Sequence, residues 1–306
     1  MRTLKALLLR HQVLLAWVAK AYALPQGCRV RRRTDGTWVI TRGQQAIWVA
    51  SAHAPYIRDV IREFDYYFSA VTPTEIDGAL VVDCTRPRLQ QLDGIDRPIL
   101  ITGLPEPNAT NQAYVDALNL PVGGVVIDGG AYCGASSLLF AEVVGKKGRV
   151  IAVEADPVNF SALQTNTEHS SVIERVPAAL WSQAGTLTFA SEGNMGSAVQ
   201  ADGGEVRPGG SRDTVEAITV AELIQRCGLE RLDGIKLDIE GAEYAVLPTL
   251  GPVIERFQPR LVFELHANSG QAKDAVMKAL TGFGYRTTQV QQSENEGAPL
   301  IVAVPN

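Results

Sequence analysis

With 306 residues, 46% of them hydrophobic and 20% charged, the chain has the composition of a globular protein with room for one large or two modest cored domains. A formal net charge of −5 argues against a general nucleic-acid binder, because phosphate partners select basic chains. Four cysteines (Cys28, Cys84, Cys133, Cys227) are scattered, with no C-x-x-C pair and no adjacent histidine. That pattern argues against zinc and against a disulfide framework, and fits reduced thiols in the cytoplasm.

The chain opens on Met1-Arg-Thr-Leu-Lys-Ala-Leu-Leu-Leu, with Ala21-Tyr22-Ala23 further on, the outline of a secretory leader. Arg10, His11 and Lys20 interrupt it and leave Val13–Ala19 unbroken, too short to span a bilayer. An amphipathic helix able to touch a membrane surface is expected instead. Arg29, Arg31, Arg32 and Arg33 form a basic run that reads as a solvated strand face. Trp38-Val39-Ile40 and Ala46-Ile47-Trp48-Val49 predict a hairpin turning near Arg42-Gly43. Ile57, Val60, Ile61, Phe64 and Phe68 recur at helical spacing, and Leu80-Val81-Val82-Asp83 reads as a short strand. Residues 1–119 are therefore expected to form a smaller accessory α+β region.

From about residue 120 the texture becomes alternating strand and helix, and 120–306 is expected to be one α/β domain. Apolar runs predict strands at 125–128, 150–154, 172–176, 186–190, 234–238, 260–264, 284–290 and 299–304. Helices are predicted at 135–144, 157–167, 219–227, 241–250 and 270–283. The last two strands have no helix between them, so a parallel sheet should close with an antiparallel hairpin joined through Ser293–Gly297. The glycine-rich stretch 191–213 reads as a long loop placed to act as a lid.

The most informative segment is Val125-Val-Ile-Asp-Gly-Gly-Ala-Tyr-Cys-Gly134: an apolar run ending on Asp128, a glycine turn, then a helix-compatible segment. Ligands sit against such a junction in open α/β sheets. A dinucleotide fingerprint, G-x-G-x-x-G, started at Gly129 fails at Ala131. What stands here is D-x-G-x-x-x-G, headed by an acid. A leading carboxylate repels a pyrophosphate and suits a cation, which favours S-adenosylmethionine (SAM) over NAD or FAD. A second strand, Val150-Ile-Ala-Val-Glu154, closes on Glu154, placed to take ribose hydroxyls.

A third strand runs into Lys236-x-Asp238-x-Glu240-Gly241-x-Glu243, and a fourth, Leu261-Val-Phe-Glu-Leu-His266, brings Glu264 and His266 to the same edge. Crowding ionisable groups at one strand end costs desolvation and repulsion, so such clusters tend to be sites. Glu240 and Glu243 have an alternative reading, as acids loading the first turn of the next helix.

These residues resemble the FkbM family of SAM-dependent methyltransferases. The resemblance rests on Val126–Gly134, Glu154-Ala-Asp-Pro-Val-Asn159, Ala178-Ala-Leu180, Val220-Ala-Glu-Leu223 and Ile235–Glu243, and covers roughly residues 120–285. The chain departs from the family at Ala155, where proline is frequent, and at Pro177-Ala178-Ala179, where a polar residue often precedes the alanine-leucine pair. The resemblance implies a doubly wound, mostly parallel seven-stranded sheet. It implies O-methylation of a hydroxyl on a sugar, glycolipid or secondary metabolite, with no nucleic-acid partner. Asp128, Gly130, Ala131 and Gly134 would hold the methionine part of SAM. Glu154, followed by Ala155, would take the ribose, and Ala179 and Leu180 would flank the adenine.

The methyl group would face the ends of the strands carrying Asp238 and Glu264, both candidate catalytic residues, with Asp238 also bordering the cofactor. Asp238 and His266 are the candidate general bases, His266 being the better matched to neutral pH, although an ordinary strand-end histidine fits equally. Asp238 has the further readings of orienting the acceptor or holding a divalent cation such as magnesium. Three other readings stay open: a SAM-fold scaffold without catalysis, a nucleic-acid base methyltransferase, and a NAD-dependent sugar enzyme. The second is disfavoured because Asp238-Ile-Glu-Gly stands where D/N-P-P-Y/F/W is expected. The third is disfavoured by Ala131 and the closing hairpin.

Overall fold

A first helix, α1 (Gln12–Ala23), runs through Gly27, whose left-handed φ of +69° lets its N–H close on the Leu24 carbonyl, into β1 (Arg29–Arg32). The computed structural model describes residues 12–92, 94–106, 108–194, 196–199, 210–266, 270–290 and 300–306. Val30 points inward from β1 while Arg29 and Arg31 stay in solvent, as a solvated face requires. The expected hairpin forms between β2 (Trp38–Arg42) and β3 (Gln45–Val49). The helix expected over 57–68 is two pieces, α2 (Ile57–Arg62) and α3 (Phe64–Ala70), because Glu63 leaves helical geometry at ψ +23°. With β4 (Thr74–Ile76) and β5 (Ala79–Cys84) the strands order as β1-β2-β3-β5-β4, β3 and β5 lying parallel. A two-stranded ribbon, β6 (Arg88–Gln90) and β7 (Ile99–Ile101), completes this unit.

The chain divides into two compact units after Pro107. The helix α4 (Asn108–Leu118) thus belongs to the second unit, although it lies before residue 120, where the sequence reading placed the boundary. Packing explains this: Tyr114 and Leu118 are buried among core residues of the second unit. Arg260 reinforces it by donating to the Ala117 carbonyl at 2.9 Å, which satisfies a helix-end acceptor.

The second unit continues through β8 (Val125–Gly129), α5 (Ala135–Val144), β9 (Arg149–Val153), α6 (Pro157–Thr167) and β10 (Ile173–Val176). There follow β11 (Ala179–Leu180), β12 (Gly185–Ser191), β13 (Ala198–Val199), β14 (Ser211–Ile218) and α7 (Val220–Arg226). The remainder is β15 (Gly234–Leu237), α8 (Glu243–Val246), α9 (Gly251–Phe257), β16 (Arg260–Glu264), α10 (Gly270–Gly282), β17 (Tyr285–Val290) and β18 (Leu300–Pro305). Seven of these strands form one sheet, ordered β10-β9-β8-β15-β16-β18-β17. All neighbours are parallel except the pairs made by β18, so the closing antiparallel hairpin is present; its connection, including Ser293–Gly297, lies outside the described residues.

Strand alternation sorts the sheet into two cores. Val126, Val150, Ala152 and Val262 face α4 and α5. Ile127, Ile151, Val153, Ile235, Leu237, Leu261 and Phe263 face the other way, onto α7, α9 and α10. The sheet is doubly wound, and its order reverses between β8 and β15, the point where ligands bind beyond the strand ends.

The helix expected over 241–250 is broken into α8, a 3-10 turn and α9, with prolines at 248 and 252. The stretch read as a long loop, 191–213, begins and ends in strand. There β12 pairs antiparallel with β14 from Ser191↔Ser211 onward and with β13 at Ala190↔Ala198, while residues 195 and 200–209 lie outside the described residues. Residues 191–197 are held down by Asp156. Its buried carboxylate caps α6 through Val158 N–H (2.8 Å) and accepts from Ser191 Oγ (2.7 Å), Ser197 Oγ (2.5 Å) and the N–H groups of Glu192 and Gly193. Among the described residues no helix is long and apolar enough to cross a membrane.

Replacing Asp156 with alanine strips the α6 cap and orphans several buried donors together. Chemical denaturation should show a loss of about 3 kcal/mol, near the upper end for a single polar group. A loss under about 1 kcal/mol would remove Asp156 as the anchor of 191–197.

Candidate active site at the carboxyl edge of the sheet

Asp128 and Lys236 are register partners on β8 and β15, so their side chains leave the sheet on the same face. Both are buried, with Lys236 Nζ 3.3 Å from Asp128 Oδ1. The ammonium also donates to the carbonyls of Gly129 (3.2 Å) and Gly130 (2.7 Å). Asp128 Oδ2 accepts from Ser136 Oγ (2.7 Å) and Ser137 Oγ (2.6 Å) at the start of α5. The cation that Asp128 meets is thus Lys236. Its fully buried carboxylate fastens the turn from beneath, and the charge argument that favoured a cationic cofactor does not stand on this residue.

Above it, the turn is shaped by close approach. A Cβ on Gly130 (φ +74°) would lie 1.8 Å from the Asp238 carbonyl oxygen, so glycine is required there to bring β8 and β15 together. Gly134 takes a left-handed φ of +91°, and a Cβ there would lie 2.8 Å from the tip of the Leu163 side chain. Ala131 is buried, its N–H bonded to the Val153 carbonyl.

Glu154 stands just past β9, nearly enclosed. One oxygen accepts Tyr132 N–H and the other Asp156 N–H, each at 2.8 Å. Each keeps a second lone pair for a hydroxyl, which is what a ribose diol needs, so this residue fits SAM. Burial pushes its carboxyl up to about 7, against the pull of those N–H groups. Ala155 lies beside it and is partly exposed. Ala179 and Leu180 pair with Ala217 and Ile218, and the Leu180 side chain covers Gly129. The glycine turn and Glu154 are therefore joined directly through Tyr132, and Leu180 through Gly129.

At the other side of the switch point Asp238, Glu240, Glu243 and Glu264 surround His266. Nδ1 lies 3.3 Å from Glu243 Oε1, and Nε2 lies 3.5, 3.7 and 3.8 Å from Glu240, Asp238 and Glu264. Burial opposes a charge on this ring, but the Glu243 hydrogen bond and the fields of Glu240 and Asp238 outweigh it and push the imidazole up to about 11. The surrounding carboxylates thus favour the charged form of His266 over the neutral imidazole that a general base requires. Glu243 is fully buried and accepts Ile239 N–H (2.8 Å) and Gly241 N–H (2.9 Å), fixing the turn after β15. In that turn Glu240 adopts a left-handed φ of +53°.

Tyr114, on α4, was not singled out by the sequence. Its hydroxyl lies 2.9 Å from Glu264 Oε1 and 3.1 Å from Asp238 Oδ2, and its ring lies 5.2 Å from Lys236 Nζ. It ties the ends of β15 and β16 to each other and to the Asp128–Lys236 pair. An isolated tyrosine in a helix, before any recognisable motif, carries no signal of this.

The strand order, the glycine turn and the acidic strand ends define a class I SAM-dependent methyltransferase fold. Residues 128–287, just over half of the chain, match the methyltransferase FkbM domain, and the chain belongs to that family. No curated protein matches the chain significantly. Among solved structures, methyltransferase FkbM from Methylobacillus flagellatus is similar at 16% identity and a TM-score of 0.45, over 83% of this chain and 56% of that one. This chain thus spans little more than half the length of that protein. Fibrillarin from Aeropyrum pernix, solved with natively bound SAM, is similar at 13% identity and a TM-score of 0.44, over 90% and 97% of the two chains. The O-methyltransferase TomG from Streptomyces achromogenes, solved with SAM, is similar at 12% identity and a TM-score of 0.40, over 66% and 81%. Family membership rests on the sequence match, and no residue role is carried over from these structures.

Two outcomes follow. Glu154 is raised in the folded state, so its contribution to stability is fully present below about 4.5 and is lost as pH rises through about 7. Wild type minus Glu154→Gln stability should fall by about 3 kcal/mol across that window, and a flat difference in pH-dependent denaturation would reject the assignment. Tyr114→Phe deprives two carboxylates of one hydroxyl and should cost about 1–3 kcal/mol, whereas an unchanged denaturation midpoint would show the bridge to be idle.

Proposed function

We propose that the chain transfers the methyl group of SAM to a hydroxyl of a sugar, glycolipid or secondary metabolite, in a reducing compartment such as the cytoplasm. The observation that carries the reading is the carboxyl cluster of Asp238, Glu240 and Glu264 around His266, set beside the turn at Gly130. The four buried free cysteines fit the compartment. Gly130, Ala131, Gly134 and Glu154 would hold SAM together with Ala155, Ala179 and Leu180, and Asp128 would hold their turn. When bound, SAM supplies an electrophilic methyl on a sulfonium. Methyl transfer is an in-line displacement, so positioning of the acceptor supplies much of the acceleration.

A hydroxyl acceptor must also lose its proton, and Asp238 is the group proposed to receive it, with Glu264 beside it. His266, charged and fenced by carboxylates, positions Asp238 and steadies negative charge on the acceptor oxygen. Tyr114 fixes the spacing of the two strand-end carboxylates. A second reading comes from Asp238, Glu240 and His266, whose ligand atoms lie within 4.8 Å of one another. A divalent cation such as magnesium would take the place of the imidazolium proton there. Activity that survives a chelator selects the proton, and activity restored by magnesium selects the cation.

Isothermal titration with SAM and its demethylated product should give micromolar binding of both. No binding to folded protein would favour a scaffold, and tighter binding of NAD would favour a dehydrogenase. Asp238→Asn should bind SAM within about threefold of wild type and lose turnover by about 10²–10⁴. Full activity in that variant would take Asp238 out of the mechanism. Transfer to RNA or DNA in preference to hydroxylated small molecules would overturn the acceptor class.

A further inference from the structure

Over residues 15–23, whose side chains are described, the buried positions of the first helix are small, Ala19 and Ala23, while Trp17 (69% exposed), Val18 (46%) and, just past its end, Leu24 (70%) stand in solvent. Trp17, Ala21 and Leu24 follow one another at i, i+4 and i+7 and share a face. Lys20 belongs to the same patch, with its ammonium 5.9 Å from the Trp17 ring. Single exposed apolar residues are ordinary, but a tryptophan and two aliphatics grouped on one short helix are not.

Charge gives the patch a direction. Eight lysines and arginines and no acidic residue precede Asp35, while the whole chain carries −5, so the remainder carries −13. Five of the eight lie within the described residues: Lys20, Arg29, Arg31, Arg32 and Arg33. Gly27 turns α1 directly into β1, where Arg29 and Arg31 flank the buried Val30 and stand exposed. Arg33 covers the Trp48 ring at 4.2 Å, which keeps a further cation on this unit's surface.

We propose that α1 and β1 form a docking surface for the anionic face of a lipid bilayer. Tryptophan prefers the headgroup level, aliphatics enter the acyl boundary, and lysine and arginine are drawn to acidic headgroups. A nucleic acid answers to the cations but gives Val18 and Leu24 nothing. A protein partner answers to the apolar residues but gives no reason for one uniform sign of charge.

The test is co-sedimentation of the full chain with unilamellar vesicles of phosphatidylcholine, with and without about one third phosphatidylglycerol. Binding is expected with the anionic vesicles and should fall in high salt. Trp17→Ser with Leu24→Ser should weaken it about tenfold. Arg29→Gln with Arg31→Gln should weaken it about fivefold per cation. Both pairs are exposed, and an unchanged circular-dichroism melt confirms that the fold is kept. Failure to bind anionic vesicles, binding indifferent to the Trp17/Leu24 pair, or tighter binding of a polyuridine probe than of the vesicles would each overturn the proposal. So would a dimer in solution that dissociates in the Trp17→Ser variant, because the apolar face would then belong to a second copy of the chain.

Discussion

The Lys236 ammonium holds the functional edge together. It lies between the carboxyl ends of β8 and β15, paired with Asp128, bonded to two carbonyls of the glycine turn and stacked near Tyr114. A buried ion pair gains little net energy, because desolvating both ions offsets their attraction. Breaking one is another matter: the abandoned charge stays buried, at a cost of about 3–5 kcal/mol. The pair therefore acts less as cement than as a constraint on register. A slip of one residue between β8 and β15 would send Lys236 into the aliphatic core on the opposite face. Gly130 enforces the same register from above, since its contact with the Asp238 carbonyl leaves no room for a side chain.

From that register the remaining geometry follows by parity. Asp128, Asp238 and Glu264 each come one residue after a core position of one face (Ile127, Leu237, Phe263), and Glu154 likewise follows Val153. Asp128 meets the start of α5, Asp238 and Glu264 meet α4 through Tyr114, and Glu154 stands just past the end of β9. One helix can then serve several strand ends, which is how a single tyrosine hydroxyl reaches both Asp238 and Glu264. It also explains why α4 belongs with the second unit. Without it, the edge would lack the side chain that bridges its carboxylates.

This parity was legible in the sequence, because strand period and strand-end acids are local features. So were the seven strands, the glycine turn, the closing hairpin and Glu154. What was not legible depends on partners distant along the chain. Tyr114 meets residues 124 and 150 positions away. Asp156 reads locally as a helix cap and gains its second role only when residues 191–197 fold back onto it. Asp128 looked like an open site for a cation because Lys236 lies more than a hundred residues downstream. The convergence of carboxylates on His266 was equally illegible, because it is a tertiary property. The surroundings of an ionisable group are set by the fold and not by its sequence neighbours.

The converged carboxylates also fit methyl transfer in particular. The charge preference inferred from Asp128 reappears at Asp238, Glu240 and Glu264, where four carboxyl groups, counting Glu243, face one imidazolium. An excess of negative charge in a partly enclosed edge disfavours a pyrophosphate and favours a ligand bearing a positive charge. Asp238, Glu240 and Glu264 would suit a ligand that carries one positive charge, as SAM does on its sulfonium. A dinucleotide suits them less, because its phosphates would bring further negative charge to an edge already in excess. The cluster around His266 thus supplies the charge argument for SAM that Asp128, paired with Lys236 from beneath, could not.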